Sequence, residues 1–335
     1  MAIALEGITA RLPPGLDARV AADADLERLA EFENRFANAV HWMSPAAARA
    51  LERSNPQPNR LAILVERDGE ILAQGQTSDG GLWAPPDRTW RVGIRVAPEW
   101  RRKRIATALA GGLESHARER HAARLISGIR GREPEGLAFA EAAGYREFHR
   151  RIEAYIDVAA FDPSRFDDPE EVAARAAVRF VSYGELWREH AADLEPLQRT
   201  LIAAFWEWAR DVPSPAPLPA EPPPFDRAKR MFFEEPAVDP DSTIVAMRGA
   251  TPLGVTATTV KENAVALTNF TGVARAERGK GLALAMKLRA LRSLKRRGIR
   301  LFGTTNDEQN AAMRGVNKRL GYVPEPPTIM VEKIL

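Results

Sequence analysis

The 335-residue chain contains no cysteine, so disulfides, thiolate metal sites and cysteine nucleophiles are excluded. It has no apolar run approaching the ~18 residues that a membrane-spanning helix requires, and its opening residues lack the charged-then-apolar pattern of an export signal. A cytoplasmic protein with no membrane partner is expected. Tyrosine is scarce, with only Tyr145, Tyr155, Tyr183 and Tyr322, and no histidine follows His190. Charge of one sign is also lacking in excess. The net charge is +3 at pH 7, which demands no nucleic-acid partner. Charged residues at 28% and apolar residues at 45% are ordinary for a globular protein, and the length suffices for two cores.

What is present starts with Arg278-Gly279-Lys280-Gly281-Leu282-Ala283, between a strand-like run (Leu267 to Val273) and a helix-like run (Leu282 to Leu294). A two-glycine loop there leaves backbone N–H groups pointing outward at a helix N-terminus, a site suited to a pyrophosphate, with Arg278 and Lys280 adding positive charge. A near-copy lies 177 residues earlier: Val96 falls on Val273, Arg101 on Arg278, Ala106 on Ala283, Gly144 on Gly321 and Tyr145 on Tyr322. Upstream of each, Val65 to Ile71 and Val245 to Leu253 read as hairpins with a glycine turn. Five matches at one offset, with elements in one order, indicate duplication.

The first domain is expected over 1–160, opening with a helix through Leu26, Leu29 and Phe32 and closing with a strand from Glu153 to Val158. Residues 161–176 read as a linker, and the second domain is expected over 177–335. It begins with a strand (Ala177 to Ser182) and an amphipathic helix carrying Leu194, Leu197, Leu201 and Phe205. Val212 to Pro224 follows, with seven prolines in thirteen residues, and can be neither helix nor central strand.

These residues resemble the GNAT-type N-acetyltransferases, here as a tandem pair. The 278–283 loop fits that family's Arg/Gln-x-x-Gly-x-Gly/Ala signature, and the run from Thr304 through Asn306, Asn310 and Asn317 to Gly321-Tyr322 is similar to its second, Asn-containing signature. The resemblance implies an α/β (α+β) fold of two tandem domains, each a mixed, bent sheet flanked by helices. It also implies acetyl-CoA as co-substrate, with no metal, and a splay between the fourth and fifth strands that admits the pantetheine arm. Unpaired strand groups in the splay would be satisfied by pantetheine amides, like an added strand. On this carry-over Thr271, Gly272 and Val273 line the arm, and a backbone N–H near Val273 faces the thioester oxygen. Residues 278–283 cradle the pyrophosphate, and Asn306 and Asn310 reach the cofactor from the opposite wall.

The two halves differ. The first loop reads Arg101-Arg-Lys-Arg104-Ile-Ala106, with Arg104 in place of Gly281, and Gly131 to Gly136 replaces the Asn-containing run. The first half is therefore expected to be degenerate. Asn317 stands where many family members place a tyrosine acid; an amide donates a hydrogen bond but no proton. Candidate bases are Asp211, Glu234, Glu235, Asp239 and Asp241. The expected activity is transfer of acetyl from acetyl-CoA to a small-molecule primary amine by direct attack in a ternary complex. The alternative is a non-catalytic acyl-CoA-binding sensor. The basic helix from Lys287 to Arg300 is read as a solvated face rather than a nucleic-acid surface, because Leu284, Leu288, Leu291 and Leu294 fall at helical spacing. A monomer with pseudo-dimeric halves, or a homodimer, is expected.

Overall fold

The computed structural model describes residues 2–81 and 84–335, so Met1, the first residue of the expected first domain, lies outside the described residues. The chain divides into two compact units. Unit 1 comprises Met1–Arg150, Pro215–Pro219 and Pro327–Leu335; unit 2 comprises Arg151–Ser214 and Ala220–Pro326. This division departs from the expected 1–160, 161–176 and 177–335. The reason is a strand and a stretch of the proline-rich segment that each belong with the distant part of the sequence.

Unit 1 begins with α1 (Ala2–Thr9), β1 (Asp17–Val20), α2 (Leu26–Asn34) and α3 (Pro45–Ser54). The hairpin β2 (Leu61–Arg67) and β3 (Glu70–Ser78) turns at Asp68-Gly69, and β4 (Thr89–Val96), α4 (Ile105–Glu119), β5 (Arg124–Arg130) and α5 (Pro134–Ala142) follow. The strand β6 (Arg146–Asp157) leaves unit 1 after Arg150. Unit 2 contains α6 (Pro169–Arg175), β7 (Arg179–Ser182), α7 (Tyr183–Glu189), α8 (Glu195–Ala209) and α9 (Phe225–Lys229). The hairpin β8 (Ile244–Arg248) and β9 (Thr251–Val260) leads to β10 (Val265–Val273), α10 (Leu282–Arg296), β11 (Leu301–Asp307) and α11 (Ala311–Leu320). Two short pieces end the chain, β12 (Val323–Pro324) and β13 (Thr328–Ile334).

Each unit is a mixed sheet with one topology. In unit 1 the order is β1-β2-β3-β4-β5-β13, antiparallel except for the β4–β5 pair. In unit 2 it is β7-β8-β9-β10-β11-β6, antiparallel except for β10–β11. The sixth strand comes in each case from the other repeat. Thr328 opposes Arg130 in unit 1, and Arg151 opposes Asp307 in unit 2. Subtracting the repeat offset of 177 from 328 and 307 gives 151 and 130, so the two closing strands are exchanged at the same register. Strand patterning states which face a residue takes, not which neighbour it pairs with, and the exchange was invisible for that reason.

Helices cover both faces of each sheet. Along β8, Ile244 and Ala246 point into the core under α10, while Val245 and Met247 point into the core under α7 and α8, the alternation that a strand buried on two sides requires. Leu288, Leu291 and Leu294 of α10 are fully buried in the first of these cores, each contributing about 2 kcal/mol of burial free energy. In unit 1, Ile105, Leu109 and Leu113 of α4 pack with Ile63 and Val65 of β2, and Leu29 and Phe32 of α2 cover Leu64 on the other face.

Candidate functional site

In unit 2, β10 and β11 pair only from Val265–Leu301 to Thr268–Thr304 and then diverge. A bulge at Asn269 begins the divergence, because the β9 register shifts between Thr268 and Phe270. The N–H of Ala274 donates to the Leu253 carbonyl on β9 at 2.9 Å. Successive strand N–H groups point to opposite sides, so the Val273 N–H is directed away from β9 and into the divergence. Thr271 lies one turn of the pleat back, its hydroxyl 3.3 Å from that of Thr256. Gly272 is required by close packing: a Cβ there would come within 2.5 Å of the Phe270 ring and 3.0 Å of the Trp208 Cβ.

The loop that follows has the conformation its glycines permit. Gly279 and Gly281 take φ of +80° and +83°, and Gly281 is the N-cap of α10 with no side-chain cap bond. The first N–H groups of α10, over Leu282 and Ala283, thus have no capping side chain, the arrangement that suits an anion. Both cations of the loop are held by carboxylates. Arg278 binds the Val273 carbonyl through Nε at 3.0 Å and also meets Asp211; Lys280 meets Glu277 at 2.9 Å. Arg248 and Lys280 hold the Glu277 carboxyl down at about 2. The Glu277–Lys280 spacing of three was the signal for that pair; Asp211, sixty-odd residues from Arg278, offered none.

The Asn310 side chain accepts from the Met313 N–H at 3.1 Å and caps α11. Asn306 accepts from the buried Asn317 amide at 2.5 Å, which ties the end of β11 to α11. The run is thus first of all a brace for the far wall. Among the candidate bases, Arg275 and then Arg278 hold Asp211 far below the usual carboxylate range. Glu234 meets Lys229 at 3.0 Å, and Arg297 is shared by Asp239 and Asp241. Glu235 is the exception. Burial pushes its pKa up against a hydrogen bond from the Ala237 backbone. Its segment runs to Val238, which bridges to Thr259, and Thr259 donates to Asn269 at the start of the divergence.

Unit 1 repeats this frame with other side chains. β4 and β5 pair from Thr89–Arg124 to Arg91–Ile126 and then part. Arg102 and Arg104 occupy the left-handed region at φ of 62° and 64°, so the loop keeps the backbone of Gly279 and Gly281 without a glycine. That conformation costs an L-residue about 1 kcal/mol each. Arg95 stands where unit 2 has Gly272, and Glu133 where it has Asn310. Arg95 reaches Glu133 at 3.1 Å, and Arg101 reaches Glu135 at 3.0 Å, so two ion pairs link β4 and the loop after it to the head of α5. Beside them is a cleft of about 560 Å³ lined from α2, α3, β4, β5 and α5.

The basic helix α10 is largely neutralised. Arg289 meets Glu170 and Glu185, Arg292 meets Asp168, and Lys295 binds the Ala159 and Phe161 carbonyls. Lys287 contradicts the solvated-face reading: it is fully buried, facing the rings of Tyr322 and Phe302. It shares the spacing of Leu284, Leu291 and Leu294, a signal present in the sequence. Trp206 and Trp208 are core, while Phe205 packs on Phe270 at 4.2 Å and on Phe232 at 4.5 Å beside the divergence. The proline-rich segment does not stay with unit 2: Pro215–Pro219 count with unit 1, where the Pro215 carbonyl accepts from Arg124 at 3.0 Å. Among the described residues no helix is long and apolar enough to cross a membrane, and no group of three or more acidic or histidine side chains could hold a metal.

Residues 26–145 match the family model described as the acetyltransferase (GNAT) family, a match that falls on the first repeat. No curated protein matches the sequence. Among solved structures, a GCN5-related N-acetyltransferase from Sphaerobacter thermophilus is 20% identical, with a TM-score of 0.67 over 96% of this chain and 96% of that one. A tandem GNAT protein from the clavulanic acid biosynthesis pathway is 19% identical, with a TM-score of 0.70 over 95% of this chain and 98% of that one. At these identities the likeness is one of fold.

Proposed function

We propose, for a chain with a GNAT-family domain in residues 26–145 and the tandem GNAT fold over its length, that unit 2 holds acetyl-CoA and passes its acetyl group to a small-molecule primary amine. The observation that carries this reading is the Val273 N–H directed into the β10–β11 divergence, followed by the glycine loop and the uncapped head of α10. In this reading Thr271, Gly272 and Val273 line the pantetheine arm, and residues 278–283 receive the pyrophosphate, for which Arg278 and Lys280 exchange their carboxylate partners. Asn306 and Asn310 shape the opposite wall. The amine nitrogen attacks the thioester carbon, the C–N bond forms, and the C–S bond breaks. The oxyanion accepts from the Val273 N–H, a contact typically worth about 3 kcal/mol. The ammonium proton goes to Glu235. The thiolate takes its proton from water, since Asn317 has none to give and a thiol of pKa near 8.5 is a tolerable leaving group. An acyl-CoA co-substrate also fits a cytoplasmic setting.

Calorimetric titration with acetyl-CoA is expected to give one site per chain. Gly281→Arg should weaken it about 10- to 100-fold, since the left-handed position alone costs a side chain about 1–2 kcal/mol. Two equivalent sites would mean that the Arg102–Arg104 loop binds as well, and absence of binding would overturn the reading. Glu235→Gln should leave acetyl-CoA binding intact and lower kcat about 10²- to 10⁴-fold, with loss of the acidic limb of the kcat/KM profile. One observation favours the non-catalytic alternative: the Asn317 amide, at the position of the expected acid, donates to Asn306 and has no proton to give. Acetyl-CoA binding with no turnover across a broad amine panel would decide for it.

A further inference from the structure

The unit 1 cleft carries more carboxylates than cations. Glu33, Glu52 and Glu133 line it, against Arg60 and Arg95; His41 lines it too, its Nδ1 2.7 Å from the Asn38 Oδ1, and the Gln74 amide donates to Glu33. Arg60 is committed to Glu52. Arg95 is shared: its Nη1 lies 3.1 Å from Glu133 and its Nε 3.6 Å from Glu33, too long for a hydrogen bond. That Nε is buried and has no hydrogen-bond partner among the described residues. One guanidinium between two carboxylates leaves a negative charge without a counterpart inside a concave site, where low-dielectric walls strengthen its field. Leu26, Leu29, Ile94 and Phe139 supply apolar wall around the charged floor. An anionic ligand directed at Arg95 would meet a carboxylate on either side. A cation with an apolar body would meet the excess charge and cover the leucines.

We propose that the cleft of unit 1 binds a small organic cation, a protonated arylalkyl- or alkylamine, between Glu33 and Glu133, as a ligand that is not acylated there. Arg95 and Glu133 hold the positions that Gly272 and Asn310 hold in unit 2. The substitutions that set unit 1 apart from unit 2 at these two positions are thus ones that create the charge pattern. This goes beyond the acyl-transfer reading, which concerns unit 2, and stands on different residues.

The test titrates the full chain with 2-phenylethylamine at low salt and neutral pH, with 2-phenylethanol and phenylacetate as neutral and anionic counterparts of similar shape. The amine is expected to saturate a site that binds the alcohol and the carboxylate at least tenfold more weakly. Glu33→Gln and Glu133→Gln, both on partly exposed carboxylates, should each weaken the amine at least tenfold and leave the acetyl-CoA titration unchanged. Glu141→Gln, on the exposed face of α5, should change neither. Gly281→Arg should weaken acetyl-CoA binding about 10- to 100-fold and spare the amine, which separates failure of this proposal from failure of the acyl-CoA reading. Equal binding of phenylacetate, no saturable binding of the amine, or amine binding that survives both glutamine variants would overturn it.

Discussion

A chain ending at Pro326 is expected to lose cooperative folding of unit 1, although nearly all of that unit's residues remain. The missing strand β13 pairs with β5 along its whole length, from Thr328–Arg130 to Ile334–Arg124. Met330 and Val331 are 6% and 3% exposed, and each buried side chain of this kind contributes about 2 kcal/mol. Glu332 is also buried, bound by Arg124 at 3.0 Å and Arg146 at 2.9 Å, and Lys333 bonds both oxygens of Glu114 at 2.9 and 2.7 Å. Truncation takes the Glu332 carboxylate from Arg124 and Arg146 and the Lys333 ammonium from Glu114, and leaves β5 with an open edge, which invites pairing with another chain. A domain holds about 5–15 kcal/mol in total, so the loss is of the same order as the whole. Thermal unfolding followed by hydrogen exchange should show residues 61–130 unprotected in the truncated chain and protected again on adding a peptide of residues 327–335. Unchanged protection in the truncated chain would refute the assignment of β13 to unit 1.

Lys287→Met is expected to stabilise the protein by about 4 kcal/mol at pH 7. The Lys287 side chain is fully buried in the core under α10, its Nζ 5.0 Å from the Tyr322 ring centroid, with no hydrogen-bond partner among the described residues. Burial lowers its pKa to about 7, against 10.5 for the free side chain. Between these values the unfolded chain binds a proton that the folded chain does not, so stability rises with pH across that window. The penalty is full below about pH 7 and gone by about pH 10.5. At 1.36 kcal/mol per pH unit it reaches about 4–5 kcal/mol. Methionine keeps the length and removes the charge. Urea unfolding of the two proteins at pH 7 and pH 9.5 measures the effect. The gain should shrink at the higher pH; a loss of stability at pH 7 would show that Lys287 is charged and paired, and a gain that does not depend on pH would show that burial does not depress its pKa.

How far the sequence carried the structure differs by kind of feature. The duplication, the two hairpins, the helix through Leu26, Leu29 and Phe32, and the strand–loop–helix around Arg278 are local patterns, and they appear as β2–β3, β8–β9, α2 and β10–α10. Glycine at 279 and 281 announced its own left-handed backbone, whereas nothing announced the same backbone at Arg102 and Arg104. Partner choice was hidden throughout. Asn306 and Asn317 find each other across eleven residues, and Asp211 collects Arg275 and Arg278 from more than sixty away. Glu133 reads as an ordinary helix-start acid until Arg95 is seen beside it. Such pairs depend on how elements are laid together, which periodicity does not encode.

The exchange of closing strands also orders events in time. On a ribosome, β5 emerges about two hundred residues before the strand that must lie against it. Unit 1 therefore waits, one edge unpaired, while the entire second repeat is synthesised, although β6 is present early and its stretch from Arg151 to Asp157 corresponds to β13. A contact so distant in sequence is slow to form, and an edge left open for that time is exposed to the wrong neighbour. The early strand β6 is the nearest wrong neighbour, being the duplicate of the right one. A repeat that closed on itself would leave β11 without its partner. The charges that fix β13, Arg124 and Arg146 on Glu332 and Glu114 on Lys333, thus act as an address: position 155, where β6 would offer the counterpart of Glu332, is a tyrosine.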